Sequence, residues 1–247
     1  MTRLALLSDL HSDIVSLDAA LAQIKSMGCE LIACLGDLVD GDVFPDELIA
    51  RLATARIPTI RGNHDRWALE RASAFRRTGR RRPDLRGKGP DAVGAAGEEG
   101  MFGGGQELSS ESLRWLAGLP TSMRLEVEGV RVALHHGRPG MWGGDMVGIE
   151  SRTTSPAQLE TLRSMAGTEV LVVGHTHERF ATRVPGGLVA NPGALWSGGK
   201  EHEKTGDLYV PGAPSYGTFG VLELPAMRFR AYRATDGAVL LDSEARQ

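Results

Sequence analysis

Cysteine, long apolar runs and an excess of either charge are all scarce in this chain, and each scarcity removes a class of protein. Only two cysteines occur, Cys29 and Cys34. They lie beside or within the apolar run Leu31 to Leu35, where a small buried thiol is commoner than a disulfide or a thiolate ligand, so a disulfide-stapled scaffold finds no support and a reducing compartment is favoured. No apolar run approaches the length that crosses a bilayer. The opening run Leu4 to Leu7 meets Asp9 and His11 almost at once and is too short for a signal-peptide core, so a cytoplasmic protein with no membrane partner is expected. With 28 Lys and Arg against 31 Asp and Glu, the net charge is -3. A balance so near neutral gives the whole molecule no field that selects nucleic acid, and any such preference must be local.

What is present suffices for one sizeable core: 247 residues, 41% of them hydrophobic, read as a single domain over 1–247. The first third alternates short apolar runs with amphipathic stretches: Leu4 to Leu7, Leu17 to Ile24, Leu31 to Leu35, Leu48 to Leu52 and Pro58 to Ile60. This reads as β-α-β-α-β, an α/β pattern whose functional residues collect just past the carboxyl ends of the strands. The second half is richer in strands. Arg124 to Val127 and Val130 to His135 form a hairpin across Glu128-Gly129. Ser155, Pro156 and Gln158 supply a capped helix start before Leu159, Leu162 and Met165. Val170 to Val173 reads as a buried strand, Phe180 to Arg183 pairs with Leu188 to Asn191, and Thr218 to Leu224 with Arg228 to Arg233 close the chain. Two stretches rich in Gly and Pro break this order, at about 76–105 and 197–214, and read as loop insertions. The first opens with the basic segment Arg76 to Lys88, a solvated loop or a flap that attracts nucleic acid.

The polar residues at the strand ends carry the chemistry. They fall in five clusters: Asp9-Leu10-His11, Gly36-Asp37-Leu38-Val39-Asp40, Gly62-Asn63-His64-Asp65, His135-His136-Gly137 and Gly174-His175-Thr176-His177. A single Asp after a strand is usually a cap or turn residue. Six of the seven histidines lie in these clusters, however, and mixed imidazole and carboxylate donors suit Mn, Fe, Zn, Co or Ni better than Mg or Ca. Glycines 36, 62, 137 and 174 mark places where the backbone turns or approaches closely. His135 and His136 are neighbours in a strand and point to opposite faces, so only one of them faces such a site, and His135 is taken as structural. Asp40 is read as a loop-capping residue behind the ligands.

This order of motifs, Asp-x-His, Gly-Asp-x-x-Asp, Gly-Asn-His-Asp, His-Gly and Gly-His-x-His, resembles the calcineurin-like metallophosphoesterases, within them most of all the small bacterial phosphodiesterase and protein phosphatase-like branch. The likeness runs from Leu4 to about Arg233. It implies a four-layer α/β/β/α sandwich with two divalent transition-metal ions, manganese first and Fe, Zn, Ni or Co as alternatives. Carried onto this sequence, it gives Asp9, His11 and His177 to one metal, Asn63, His136 and His175 to the other, and Asp37 to both. His64 becomes the catalytic histidine, with Asp65 orienting its ring, and Arg61 a candidate phosphate contact. Asn191-Pro192-Gly193 also recurs in the family as a turn supporting the metal-binding loops. Here Ala194 follows where a serine is usual. The implied activity is phosphoester hydrolysis by a hydroxide held between two ions. A phosphodiesterase or broad-specificity phosphatase acting on a phosphorylated small molecule or nucleotide leads. A dinucleoside polyphosphate hydrolase, a protein phosphatase and a non-catalytic scaffold of the same fold are the competitors, and the oligomeric state stays open.

Overall fold

The computed structural model describes residues 1–41, 45–78, 108–140, 147–196 and 217–244. The elements run β1 (Thr2–Leu7), α1 (Ile14–Ser26), β2 (Leu31–Cys34), α2 (Pro45–Thr54), α3 (Asn63–Thr78) and α4 (Ser110–Gly118), followed by the hairpin β3 (Ser122–Val127) and β4 (Val130–His135). Then come α5 (Pro156–Ala166), β5 (Val170–Val173), β6 (Phe180–Val184), β7 (Gly187–Asn191), β8 (Thr218–Leu224), β9 (Arg228–Arg233) and β10 (Val239–Asp242). The strands form two five-stranded sheets, ordered β10-β9-β8-β1-β2 and β3-β4-β5-β7-β6.

Local sequence explains most of these boundaries. Asp13 caps α1 by accepting from the Ser16 amide at 2.9 Å, and Leu17, Ala20 and Ile24 give the helix one buried stripe. Before α5, the Ser155 side chain accepts from the Gln158 amide while the Gln158 side chain accepts from the Ser155 amide, and Gly167 ends the helix in the left-handed region. In the β3–β4 hairpin Glu128 and Gly129 both take positive φ, the backbone twist that a two-residue connection requires.

Strand periodicity then assigns the core. In β1, Ala5 and Leu7 pack with Leu17, Ile24, Leu48 and Leu52 of α1 and α2, while Leu4 and Leu6 turn the other way, toward Val132 and Leu134 of β4 and Val170 and Val172 of β5. A third cluster joins Leu171 and Val173 of β5 to Leu159 and Ala166 of α5. Helices thus cover the outer face of each sheet, with an apolar layer between the sheets.

Several expectations change. The segment Pro58 to Ile60 makes only one parallel bridge, between Cys34 and Thr59, because Pro58 has no N–H to give and the chain enters α3 at Asn63. The stretch read as a loop from Arg76 instead completes α3 through Thr78. The rest of the basic segment, 79–88, lies outside the described residues, as do the insertion at 197–214 and the nucleic-acid contact proposed for the basic segment. The sequence also gave no warning of α3, α4 or β10. Charged side chains are frequent in α3, which sends Ala68 and Leu69 into the core beside α1 and α2 and buries Ala74 as well, and β10 is an edge strand whose pairing with β9 shifts register. No helix among the described residues is long and apolar enough to cross a membrane.

Leu6 is fully buried between the sheets. Leu6→Ala is expected to lower unfolding free energy by about 2–5 kcal/mol, the usual cost of such a cavity. Urea denaturation checks this, and a loss under about 1 kcal/mol would show that the layer between the sheets closes around the gap.

Candidate metal centre

Strands β1 and β2 in one sheet and β4 and β5 in the other place their carboxyl ends at one rim, and the loops that follow are tied to one another by backbone hydrogen bonds. Past β1 and β2 the parallel pairing continues: Asp9 N–H donates to the Gly36 carbonyl at 3.0 Å, Leu10 and His11 N–H to the Asp37 carbonyl at 2.8 and 2.9 Å, and Ser12 N–H to the Leu38 carbonyl at 2.7 Å. Gly174 N–H likewise donates to the His136 carbonyl at 2.9 Å and joins the loops after β4 and β5. The backbone that achieves this is unusual. Asp9, His11, Ser12, Asp37, Asp40, His175 and His177 all have φ between 44° and 71°. Side-chain residues in this left-handed region cost on the order of 1–3 kcal/mol each and persist where the surroundings over-determine them.

Two glycines make the crowding legible. A Cβ on Gly62 would lie 2.2 Å from Oδ1 of Asp37, and one on Gly174 would lie 2.1 Å from the Ser8 hydroxyl and 2.9 Å from a carboxylate oxygen of Asp9. Any larger residue at either place displaces a candidate ligand.

The donor atoms converge as three overlapping groups, each within 4.8 Å: Asp9, His11 and His177; His11, Asp37 and His64; and Asp37, His136 and His175. Asn63 completes the last group, its Oδ1 lying 3.1 Å from Nε2 of His136 and 2.8 Å from Nδ1 of His175. His136 Nε2 is 3.0 Å from Asp37 and 3.8 Å from Asp9, and His177 Nε2 is 3.4 Å from Asp9. All seven residues expected to hold metal therefore stand together.

The ring orientations suit coordination. His136 Nδ1 faces the Leu35 carbonyl at 2.7 Å and His11 Nδ1 faces the Val39 carbonyl at 3.1 Å. Each carbonyl can only accept, which places the ring proton on Nδ1 and leaves the Nε2 lone pair toward the cluster. Across the sheets, the His175 amide donates to the Asp9 carboxylate at 3.1 Å. The Asn191 side chain donates to the Gly174 carbonyl at 3.0 Å and to the Thr176 hydroxyl at 3.2 Å, so it braces the loop that carries His175 and His177. Ala194 follows that turn, and its carbonyl accepts from the Thr218 amide at 2.8 Å.

Electrostatics point the same way. Burial works to raise the Asp9 carboxyl, but His177 and His136 bring it down to about 2. Burial opposes ionisation of Asp37 too, yet His136 and His64 hold it well below the usual carboxylate range. Burial depresses His136, but the Asp37 charge overrides this and lifts it to about 10. At His11, burial together with the neighbouring His64 and His177 lowers the ring to about 3. Two buried carboxylates thus demand positive charge, which a proton on His136 supplies when no ion is bound and which a divalent ion would supply by taking that proton's place among the imidazole and carboxylate donors.

The site also corrects one assignment. Asp65 was expected to orient the His64 ring. Its carboxylate instead accepts three backbone N–H groups, from Leu38 at 2.8 Å, Gly62 at 2.9 Å and Asp37 at 3.1 Å, and so pins the loop after β2 to the start of α3. Burial and the Asp37 charge push it up to about 6 despite these donors. Asp40 takes the place against the ring, with Oδ2 at 3.2 Å from His64 Nδ1. A helix beginning at Asn63 explains the exchange, since a third residue in a first turn points its carboxylate back at free amides. His135 stays half-buried, and burial lowers its ring with help from Arg124. Arg61 is held by its backbone N–H on the Pro120 carbonyl at 2.7 Å.

The sequence profile of the calcineurin-like phosphoesterase superfamily domain matches residues 2–208, a span containing every candidate ligand. The chain belongs to this superfamily. Its sequence is 24% identical over 196 residues to an uncharacterized protein of Methanocaldococcus jannaschii, a match covering 78% of this chain and 70% of that protein. Its fold is similar to a metallophosphoesterase from Sphaerobacter thermophilus, with TM-score 0.60, 21% identity, and coverage of 94% of this chain and 87% of the other. A hypothetical protein from Pyrococcus horikoshii is similar in fold at TM-score 0.68 and 18% identity, covering 94% of this chain and 88% of that one.

Sequence reasoning passed over two rings at this superfamily site. Trp196 lies 5.1 Å from His11 and Trp67 lies 4.8 Å from His64, centroid to centroid. The spacing of Trp67, three residues after His64, would have marked it had α3 been recognised.

Gly62→Ala is expected to push the Asp37 carboxylate aside and to lower metal retention at least tenfold while the far-ultraviolet circular dichroism stays unchanged, the scale seen when support of a ligand is lost. Equilibrium dialysis with manganese measures it, and wild-type retention would show that the loop absorbs the methyl group.

Proposed function

We propose that the protein is a metal-dependent phosphoester hydrolase that holds two divalent transition-metal ions. Asp9, His11 and His177 bind one, Asn63, His136 and His175 the other, and Asp37 both. The observation that carries this reading is the position of Asp37, grouped within 4.8 Å both with His11 on one side and with His136 and His175 on the other. When bound, such ions supply an activated water and Lewis acidity toward phosphoryl oxygens.

The chain's own groups account for the remainder. His64 stands at the edge of the cluster with Nδ1 against Asp40. A carboxylate at Nδ1 stabilises the ring's charged form and leaves Nε2 to donate a proton to the departing ester oxygen. Arg61, one residue before Gly62, is the cation assigned to substrate phosphate. No side chain need attack phosphorus. The substrate class assigned is a phosphorylated small molecule or nucleotide, with a diester ahead of a monoester, and manganese is the metal assigned. An interaction module on the same fold is the competing reading, and the complete ligand set together with His64 favours the hydrolase.

The test is hydrolysis of 4-nitrophenyl mono- and diesters with manganese, which a chelator should abolish. Asp37→Asn should lose activity and bind fewer than two ions per chain. Metal analysis finding one ion or fewer in a fully active wild type would overturn the two-ion assignment. His64→Ala should keep both ions yet turn over roughly a hundredfold more slowly. If it sheds metal and regains full rate when metal is added back, His64 is a ligand instead.

A further inference from the structure

Helix α3 carries more toward the site than its first turn. His64, Trp67 and Arg71 are separated by three and four residues and share one stripe of the helix. The loop after β2 meets that stripe at Asp40, whose backbone is held in the left-handed region at φ 65°. One oxygen of the Asp40 carboxylate faces His64 Nδ1 at 3.2 Å, and the other accepts from the Arg71 guanidinium. The Asp40 side chain is 11% exposed and that of Arg71 37%. The His64 ring is meanwhile flanked by His11 and Trp67, each at 4.8 Å between centroids.

We propose that Arg71 is a positioning residue for the phosphoester reaction: by binding Oδ1 of Asp40 it fixes the carboxylate so that Oδ2 holds the His64 ring, with Nε2 toward the leaving oxygen. This rests on the assignment of His64 as the proton donor. A carboxylate with one oxygen on His64 can turn about its last torsion unless the other oxygen is engaged. A guanidinium about two turns further along the helix engages it without touching the cluster, and its charge favours the ionised form of the mostly buried Asp40. An ordinary ion pair at such exposure would contribute little to stability and nothing to the reaction. Proton donation gives the two cases different signatures, because a poor leaving group depends on the donor far more than a good one.

The experiment compares wild type, Arg71→Met and Arg71→Lys on a 4-nitrophenyl ester and on its unsubstituted phenyl counterpart, at saturating manganese. Arg71→Met should lower kcat roughly tenfold to a hundredfold for the phenyl ester, the scale for losing a residue that orients a reacting group. It should change kcat by less than about threefold for the nitrophenyl ester, leave KM and metal content unchanged, and be largely rescued in Arg71→Lys. Independently of activity, nitrogen–proton correlation spectra of the zinc-loaded full chain report the His64 ring, assigned by its disappearance in His64→Ala. The hydrogen-bonded Nδ1–H signal should be present in wild type and Arg71→Lys and lost or shifted in Arg71→Met. Equal losses on both esters, an effect confined to KM, or an unchanged ring signal would each overturn the proposal. Should Arg71→Met fold poorly, Arg71→Gln carries the same comparison. If the wild type hydrolyses neither ester, the hydrolase reading fails, while the ring signal still decides whether Arg71 positions His64.

Discussion

The buried residue Asp37 is the point on which the rest of the site depends, because its polar atoms tie down three separate segments. Its N–H donates to Asp65, its carbonyl accepts from Leu10 and His11, one carboxylate oxygen accepts from the His64 amide at 2.8 Å, and the other faces His136 Nε2 at 3.0 Å. The loop after β1, the start of α3 and the end of β4 are thereby referred to one residue. A buried carboxylate is costly unless its charge is met, and the fold meets it with amide dipoles on one side and imidazoles on the other.

The same economy explains the backbone. Parallel neighbours β1 and β2 bring Asp9 and Asp37 to the same rim, and their loops go on bonding after the strands end. To send side chains inward there, consecutive residues enter left-handed conformations that only a dense hydrogen-bond frame sustains. Asn191 supplies part of that frame on the second sheet, and the Asp9 carboxylate, accepting from the His175 amide, joins the two sheets. The candidate ligands are therefore preorganised, so an ion entering the site has little chain to reorder.

Helix α3 shows how a segment with weak apolar patterning still serves the site. Its packing against the core includes Ala68 and Leu69, and largely buried polar contacts supplement this: Asp65 to three amides, Asp40 to Arg71 and to the His64 ring. An aligned first turn also offers free amides to an anion, and here it offers the His64 amide to Asp37. Stability and chemistry thus draw on the same few carboxylates.

The order of the motifs and their placement after apolar runs were determined by the sequence alone. The apolar runs Leu4 to Leu7 and Val170 to Val173, the capped start at Ser155 and the Glu128-Gly129 turn are local signals, so those strands, the hairpin and α5 could be read from the sequence. The gathering of Asp9, His11, Asp37, Asn63, His136, His175 and His177 was implied by the resemblance of the motif order to the family, to which their place after apolar runs added only a common rim. Tertiary structure decided what local signals do not encode. Whether Asp40 or Asp65 meets the His64 ring depends on where α3 begins relative to the β2 loop, and both lie near His64 in sequence or motif. The edge strand β10, the short helix α4 and the reduction of Pro58 to Ile60 to one bridge likewise follow from what each segment finds to pair with. The link from Arg71 to His64 crosses 31 residues through Asp40, and a side-chain bond spanning that separation exists only once the chain has folded.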